Sequence, residues 1–353
     1  MTPLEDVECS AGAASPMGEC AASASGAYGV KLSFEVWWNP LVNEDGTFSA
    51  TANPGRGTVE VQMLAEVGDP CEQSAGAFSA ATRMRLCSTS IPAVSSNLTC
   101  DVYDFDVPSS TFDLPTMPNF MATASAASFD PGSALTFDPF TVLLGVEMAD
   151  PLVAWPASIS ELLSLGCANG TGFDCIPDHD GDGLEGVSAV VDSGGDIAMM
   201  TGCGLLGTDP YTRRALPLNS DPTQLLGGDG TNRSDAISVA MRMRAGLGFG
   251  FGQDCMGDAG PAAVVEAFDI RLVACTRVNG EPCAPDQVEF LDGGVPTFQL
   301  LKAGEAPNYG VDQPEWAVAD KSVSAGPQSE VVRLGDLNSG VTCDAVRNAN
   351  FGL

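Results

Sequence analysis

Three aspartates occupy alternate positions in the run Asp178-His179-Asp180-Gly181-Asp182-Gly183. Carboxylates at the first, third and fifth places of a tight loop, with glycine at the sixth, suit a hard cation that takes six to eight oxygen ligands; calcium fits that description. The run departs from an EF-hand at its far end. The twelfth place, where a bidentate Glu would close the shell, is Ala189, and the nearest acid is Glu185 at the eighth. The spacing therefore predicts a calcium loop of another kind, with Asp178, Asp180 and Asp182 as ligands and Glu185, Asp174 or backbone carbonyls completing the set. The plain alternative is an acidic hairpin turn, because Asp-Gly is also an ordinary turn pair.

Other candidate chemistry is thinner. Two Arg-Met-Arg tracts, Arg83-Met84-Arg85 and Arg242-Met243-Arg244, place their guanidinium groups on one face of a strand. Arginine forks of this kind grip an anion or carboxylate ligand, or else pair with the protein's own acids. Trp37 follows the Lys31, Ser33, Glu35 face of its strand and offers a stacking platform for a sugar, while Trp38 faces the core. Met63, Met84, Met241, Met243, Phe249 and Phe251 fall on inner strand faces, as either a packed core or the lining of a hydrophobic-ligand cavity would require. Catalysis has little raw material. His179 is the single histidine, so a Ser-His-Asp or Cys-His arrangement lacks its base unless that residue supplies it. No phosphate-binding glycine loop or nucleophile-elbow motif occurs, and nothing selects a catalytic pair among the 46 acids.

The elements that position these groups read as strands. Tyr28, Val30, Leu32, Phe34, Val36 and Trp38 alternate with polar or small residues, as do Val59–Val67, Phe78–Leu86 and the long run Ile237–Phe251. Val142–Met148, Val187–Val190 and Phe268–Ala274 are further strand candidates, the last equally compatible with a helix. Pro156–Leu165 is the one helical pattern, with Ser158 as cap, Ile159, Leu162 and Leu163 on one face, and Gly166 as stop. Residues 105–140 are punctuated by prolines and read as extended connectors or edge segments. The predicted fold is all-β: an antiparallel barrel or sandwich, with one short helix and long disulfide-tied loops. The boundaries are an N-terminal arm (1–27), a β-rich half (28–155), a helix and calcium-loop connection (156–186), a second β-rich half (187–302) and a covering C-terminal arm (303–353). The repeated Arg-Met-Arg tract suggests that the halves are related.

Composition sets the surroundings. The 353 residues carry 46 acids against 15 bases, a formal charge of −31. Such a field repels phosphate backbones and anionic membrane surfaces, so nucleic-acid binding is excluded as a function class. Twelve cysteines, an even number without any Cys-x-x-Cys, read as disulfides and place the chain in an oxidising compartment. The closest pairs are the natural bridges: Cys9–Cys20, Cys167–Cys175 and Cys275–Cys283. Each would constrain the unfolded chain by about 3 kcal/mol. No apolar run is long enough to span a membrane, and an original signal peptide is taken to have been removed.

Trp155-Pro156, the run from Asp178 through Leu184-Glu185-Gly186-Val187, Ile237–Arg244 and the closing Cys275 and Cys283 together resemble secreted proteins or lipoproteins of myxobacterial type, a group with no assigned activity. The resemblance covers roughly the last two thirds of the chain. It implies an extracellular or cell-envelope location and calcium, and no reaction. Leu184-Glu185-Gly186 stands where such proteins often carry Lys-Pro-Gly, and so adds a potential ligand. The expectation is a non-enzymatic extracellular or envelope binding protein, stabilised by disulfides and Ca2+, with a small hydrophobic ligand, a glycan or an envelope partner. A β-barrel carrier of a lipid-like molecule and a carboxylate-dependent glycan hydrolase are the alternatives.

Overall fold

Alternation becomes burial in the first long strand: Tyr28, Val30, Leu32 and Phe34 are all at most 3 % exposed. The protein is described by a computed structural model covering residues 18–39, 55–74, 77–92, 104–107, 109–153, 156, 159–167, 175–181, 185–192, 236–251, 255, 257–258, 263–275, 288–290, 297–300 and 328–351. Its strands are β1 (Gly26–Asn39), β2 (Gly55–Val67), β3 (Cys71–Ser74), β4 (Ala77–Pro92), β5 (Asp104–Asp106), β6 (Asn119–Ala126), β7 (Ala134–Leu144), β8 (Val187–Asp192), β9 (Ala236–Phe251), β10 (Gly257–Asp258), β11 (Val264–Cys275), β12 (Val288–Phe290), β13 (Thr297–Leu300) and β14 (Gln328–Gly335). Among the described residues three short α-helices accompany them: α1 (Ala21–Ala24), α2 (Ile159–Leu165) and α3 (Cys343–Arg347).

The described strands form one antiparallel sheet of fourteen, curled into a half-barrel, whose main path runs β12-β11-β9-β7-β6-β4-β2-β1-β13. Between β4 and β9 the sheet is double. Near one end β6 and β7 join them, through Arg85↔Asn119, Ala124↔Phe137 and Leu144↔Met241 among other pairs. Near the other end β5 and β8 do the same, through Ser90↔Asp106, Asp106↔Val190 and Val187↔Val239. Hydrogen bonding thus closes a ring, β4-β6-β7-β9-β8-β5. The connection between β5 and β6 contributes buried Val107, Phe112 and Met117 to the core.

The concave face is a single apolar cluster. Met63, Met84 and Met243 are fully buried within it, Met241 nearly so, and Phe34 of β1 meets Phe268 of β11 edge-to-face at 5.3 Å. Strands from both predicted halves share this core. These methionines and phenylalanines belong to one buried cluster.

Two outer-face clusters are separately covered. On β1, β2 and β4, residues Ala27, Leu64 and Cys87 lie under Cys343 and Val346 of α3. On the β9 side, Ala240, Val146 and Met148 pack with Leu162 of α2 and with Cys167, Cys175 and Ile176. A bulge in β4 opposite Gln62/Met63 leaves Cys87 on the outer face and brings Thr89 instead of Ser88 to the inner face, at 3 % exposure.

Several expectations are met. The helix ends at Leu165, and Gly166 follows with φ +86°, the left-handed backbone that glycine accepts readily. Phe268–Ala274 lies within strand β11. Of the expected C-terminal arm, β14 enters the sheet beside β1 and α3 packs on an outer face, while residues 303–327 lie outside the described residues. The proline-punctuated stretch is a correction: residues 105–140 contain β6 and most of β7, both interior to the sheet path. Pro139 is tolerated because it sits in the register shift between Phe137 and Phe140, where the ladder needs no amide hydrogen. A second correction concerns Cys20, which bonds to Cys255 rather than Cys9.

Candidate functional site

The aspartate loop lies where the doubled part of the sheet meets its connections. Gly181, at φ +71°, donates its amide to Asp178 Oδ1 at 2.6 Å, so the first aspartate folds the loop back on itself. Asp178 and Gly186 form an isolated bridge. On either side of it, His179 N–H donates to the Gly186 carbonyl at 3.3 Å and Gly186 N–H to the Pro177 carbonyl at 3.2 Å. Both ends of the loop are thus pinned directly ahead of β8.

His179 is the residue that joins this loop to the sheet. Its Nδ1 accepts the amide hydrogen of Gly145 at 2.9 Å, and its carbonyl accepts the Thr116 hydroxyl at 2.7 Å. Burial holds the imidazole below its ordinary pKa of 6.5, against the opposing pull of Asp178. The neutral ring with Nδ1 unprotonated is the form this contact demands. Gly145 has φ +65°, and a Cβ there would stand 2.4 Å from the Val239 carbonyl oxygen and 3.0 Å from Gly186. Glycine is required at this contact between the end of β7, β9 and the loop. In the sequence His179 stands out only as the single histidine; its use as a hydrogen-bond acceptor has no local signal.

Oδ1 of Asp180 and Oε2 of Glu185 are both shielded from solvent, and carboxylate oxygens withdrawn from water require compensating charge or hydrogen bonds. Asp178, Asp180 and Glu185 are carried by one short loop; Asp174 and Asp182 lie outside the described residues. Among the described residues alone, no group of three or more His, Cys, Asp or Glu side chains is arranged to hold a metal. The disulfide Cys167–Cys175 is present as expected, with its Cα atoms 5.1 Å apart. It is coupled to the same region through Glu147 N–H, which donates to the Cys175 carbonyl at 2.8 Å.

The four arginines of the two tracts are engaged by the protein itself. Arg83 forks onto Glu66 Oε2 at 2.8 and 2.6 Å. Arg85 donates to the carbonyls of Phe112 and Leu114, each at 2.6 Å through Nη2. Burial lowers the pKa of Arg85, and the charge of Asp113 opposes that shift. In β9 the order is exchanged. Arg242 donates to the carbonyls of Pro151 and Val153, the first at 3.0 Å, and Arg244 pairs with Glu266 at 2.5 Å. Each tract therefore has one arginine for a carboxylate on the neighbouring strand and one for the carbonyls of a covering loop. The side chain of Trp37 lies outside what is described, although its backbone pairs with Arg56 and Gln299.

Two bridges link distant parts of the chain. Cys20–Cys255 joins the N-terminal arm to the segment after β9, with Cα atoms 5.0 Å apart. Cys20 is held there because its amide donates to the Phe129 carbonyl at 2.7 Å, and that tertiary contact overrides the nearness in sequence of Cys9. Cys87–Cys343 ties α3 to β4 over 256 residues. Beside it opens a cleft of about 340 Å³ lined by Leu64, Arg85, Asp113, Thr342, Cys343 and Asp344. Cys9 and the Cys275–Cys283 bridge fall outside what is described, since Cys9 and Cys283 are not among the described residues. Compared with protein-family models, curated proteins and solved structures, the chain matches none.

Proposed function

We propose that this protein is a non-enzymatic binding scaffold of the extracellular space or cell envelope, rigidified by disulfides and by calcium in the aspartate loop. The observation that carries the reading is the pair of long bridges, Cys20–Cys255 and Cys87–Cys343, which fasten remote parts of one sheet. Such bonds persist in oxidising compartments and are rare where glutathione is reducing. The absence of any apolar helix of membrane-spanning length among the described residues is compatible with it. One further observation supports a scaffold over an enzyme: His179 is buried as an acceptor for Gly145.

When bound, calcium supplies fixed positive charge to the loop, and Asp178, Asp180 and Glu185 are the described residues that would hold it. Their role is to fix the start of β8 against Gly145 and Val239. Two measurements test the reading. Intact producing cells treated with an external protease should lose the protein, and thiol alkylation should find its cysteines oxidised; an intracellular chain with free thiols rejects the location. Calcium at a hundredfold excess over its Kd should stabilise the fold by about 2.7 kcal/mol. A chelator should reverse that gain, and Asp180→Asn should abolish the response. Melting curves that ignore both changes reject calcium. Turnover of a glycan that disappears when one acid is neutralised would overturn the non-enzymatic assignment.

A further inference from the structure

The bridges Cys20–Cys255 and Cys87–Cys343 interleave along the chain, each closing a loop that contains one end of the other. Eight cysteines, at 9, 20, 71, 87, 100, 167, 175 and 203, precede Cys255, and two more, Cys275 and Cys283, stand between it and Cys343. A chain oxidised as it emerges from its N-terminus therefore presents Cys20 and Cys87 to many wrong partners before either right one exists. Cys9 lies 11 residues from Cys20, and Cys100 lies 13 from Cys87. Native separations are 235 and 256 residues. Loop-closure scaling favours each short pairing over the native one by about a hundredfold in the unfolded chain.

The fold then hides what must be corrected. In the native state Cys20 and Cys87 are fully buried and Cys343 is 4 % exposed. Exchange at Cys87 must therefore occur before α3 closes over the outer face, and exchange at Cys20 before the core closes around it.

We infer that maturation of this protein requires a dithiol disulfide isomerase, which converts early local bridges at Cys20 and Cys87 into the crossed native pair. This rests on the reading of the protein as one oxidised during export. In each exchange the isomerase thiolate attacks one sulfur of a misplaced bridge, forming a mixed disulfide and releasing the other cysteine as a thiolate. A chain thiolate later attacks that mixed disulfide, forming a new intrachain bond and returning the isomerase thiolate. The number of bonds is unchanged across the cycle, so no oxidant is consumed.

The test directs the full chain to the periplasm of a bacterial host that retains its disulfide oxidase, with and without its isomerase, and maps bridges by digestion and mass spectrometry. Without the isomerase, the fraction carrying both Cys20–Cys255 and Cys87–Cys343 should fall at least fivefold, with Cys20 and Cys87 appearing in other pairings. A second arm refolds the reduced chain in oxidised glutathione alone, or with reduced glutathione and purified isomerase, where the same fivefold difference is expected. Equal recovery of the native bridges in both arms overturns the inference. Because both arms impose oxidation, this result is separate from the natural location, which the thiol state in producing cells decides.

Discussion

The outer faces of β4 and β9 carry the same Arg-Met-Arg tripeptide, bury the central methionine in the same core, and cover the outside by different means. Over β4 the cover is α3, which comes from the far end of the chain and is fixed by Cys87–Cys343. Over β9 the cover is α2 with Cys167, Cys175 and Ile176, and the bridge there joins cysteines only eight residues apart in sequence. In both, one arginine holds the carbonyls of a nearby loop and the other holds a glutamate. A pattern of this kind specifies a local anchoring scheme, whereas the source of the cover is set by topology.

The bridges offer the strongest way to break the comparison. Removing Cys87–Cys343 with paired alanines should cost about 5 kcal/mol, and removing Cys167–Cys175 about half that, because the stabilisation grows with loop length. Denaturant midpoints of the two double variants measure the ratio, and equal losses would show that the distant cover is no more dependent on its bond than the local one.

Next come the loop-gripping arginines. Arg85→Met and Arg242→Met each strip charged donors from two carbonyls, and each should destabilise by about 2–3 kcal/mol. A large disparity between them would end the equivalence of the two tracts. The glutamate pairs should differ instead. Arg83 and Glu66 have side chains only 13 % and 11 % exposed, against 25 % and 42 % for Arg244 and Glu266. Double-mutant cycles should give about 2 kcal/mol for the first pair and under about 1 kcal/mol for the second.

Much of this comparison is legible in the sequence alone. Period two exposes strands because alternate side chains leave on opposite faces, and the runs at Tyr28–Phe34, Val59–Val67 and Ile237–Phe251 are long enough to be unambiguous. Prolines concealed β6 and β7, since a register shift that accommodates Pro139 is a property of the pair of strands and not of either sequence. Cys20 misled for a related reason: spacing orders cysteines by chain entropy, whereas the folded ends of β9 and α1 bring Cys255 to it. In the aspartate loop the residue types were plain, and the loop's attachment through His179 to Gly145 was not, because their partnership spans 34 residues without a motif.

The ring β4-β6-β7-β9-β8-β5 has a mechanical consequence. Two strands joined by a single ribbon can rotate about it like the covers of a book, but β4 and β9 are cross-linked at both ends. They form a braced frame, in which splaying one corner loads the hydrogen bonds of the opposite corner in shear. The aspartate loop sits at one joint of that frame, where Gly145 and Gly186 touch. Tension across the molecule should thus be resisted collectively until a whole ribbon ruptures.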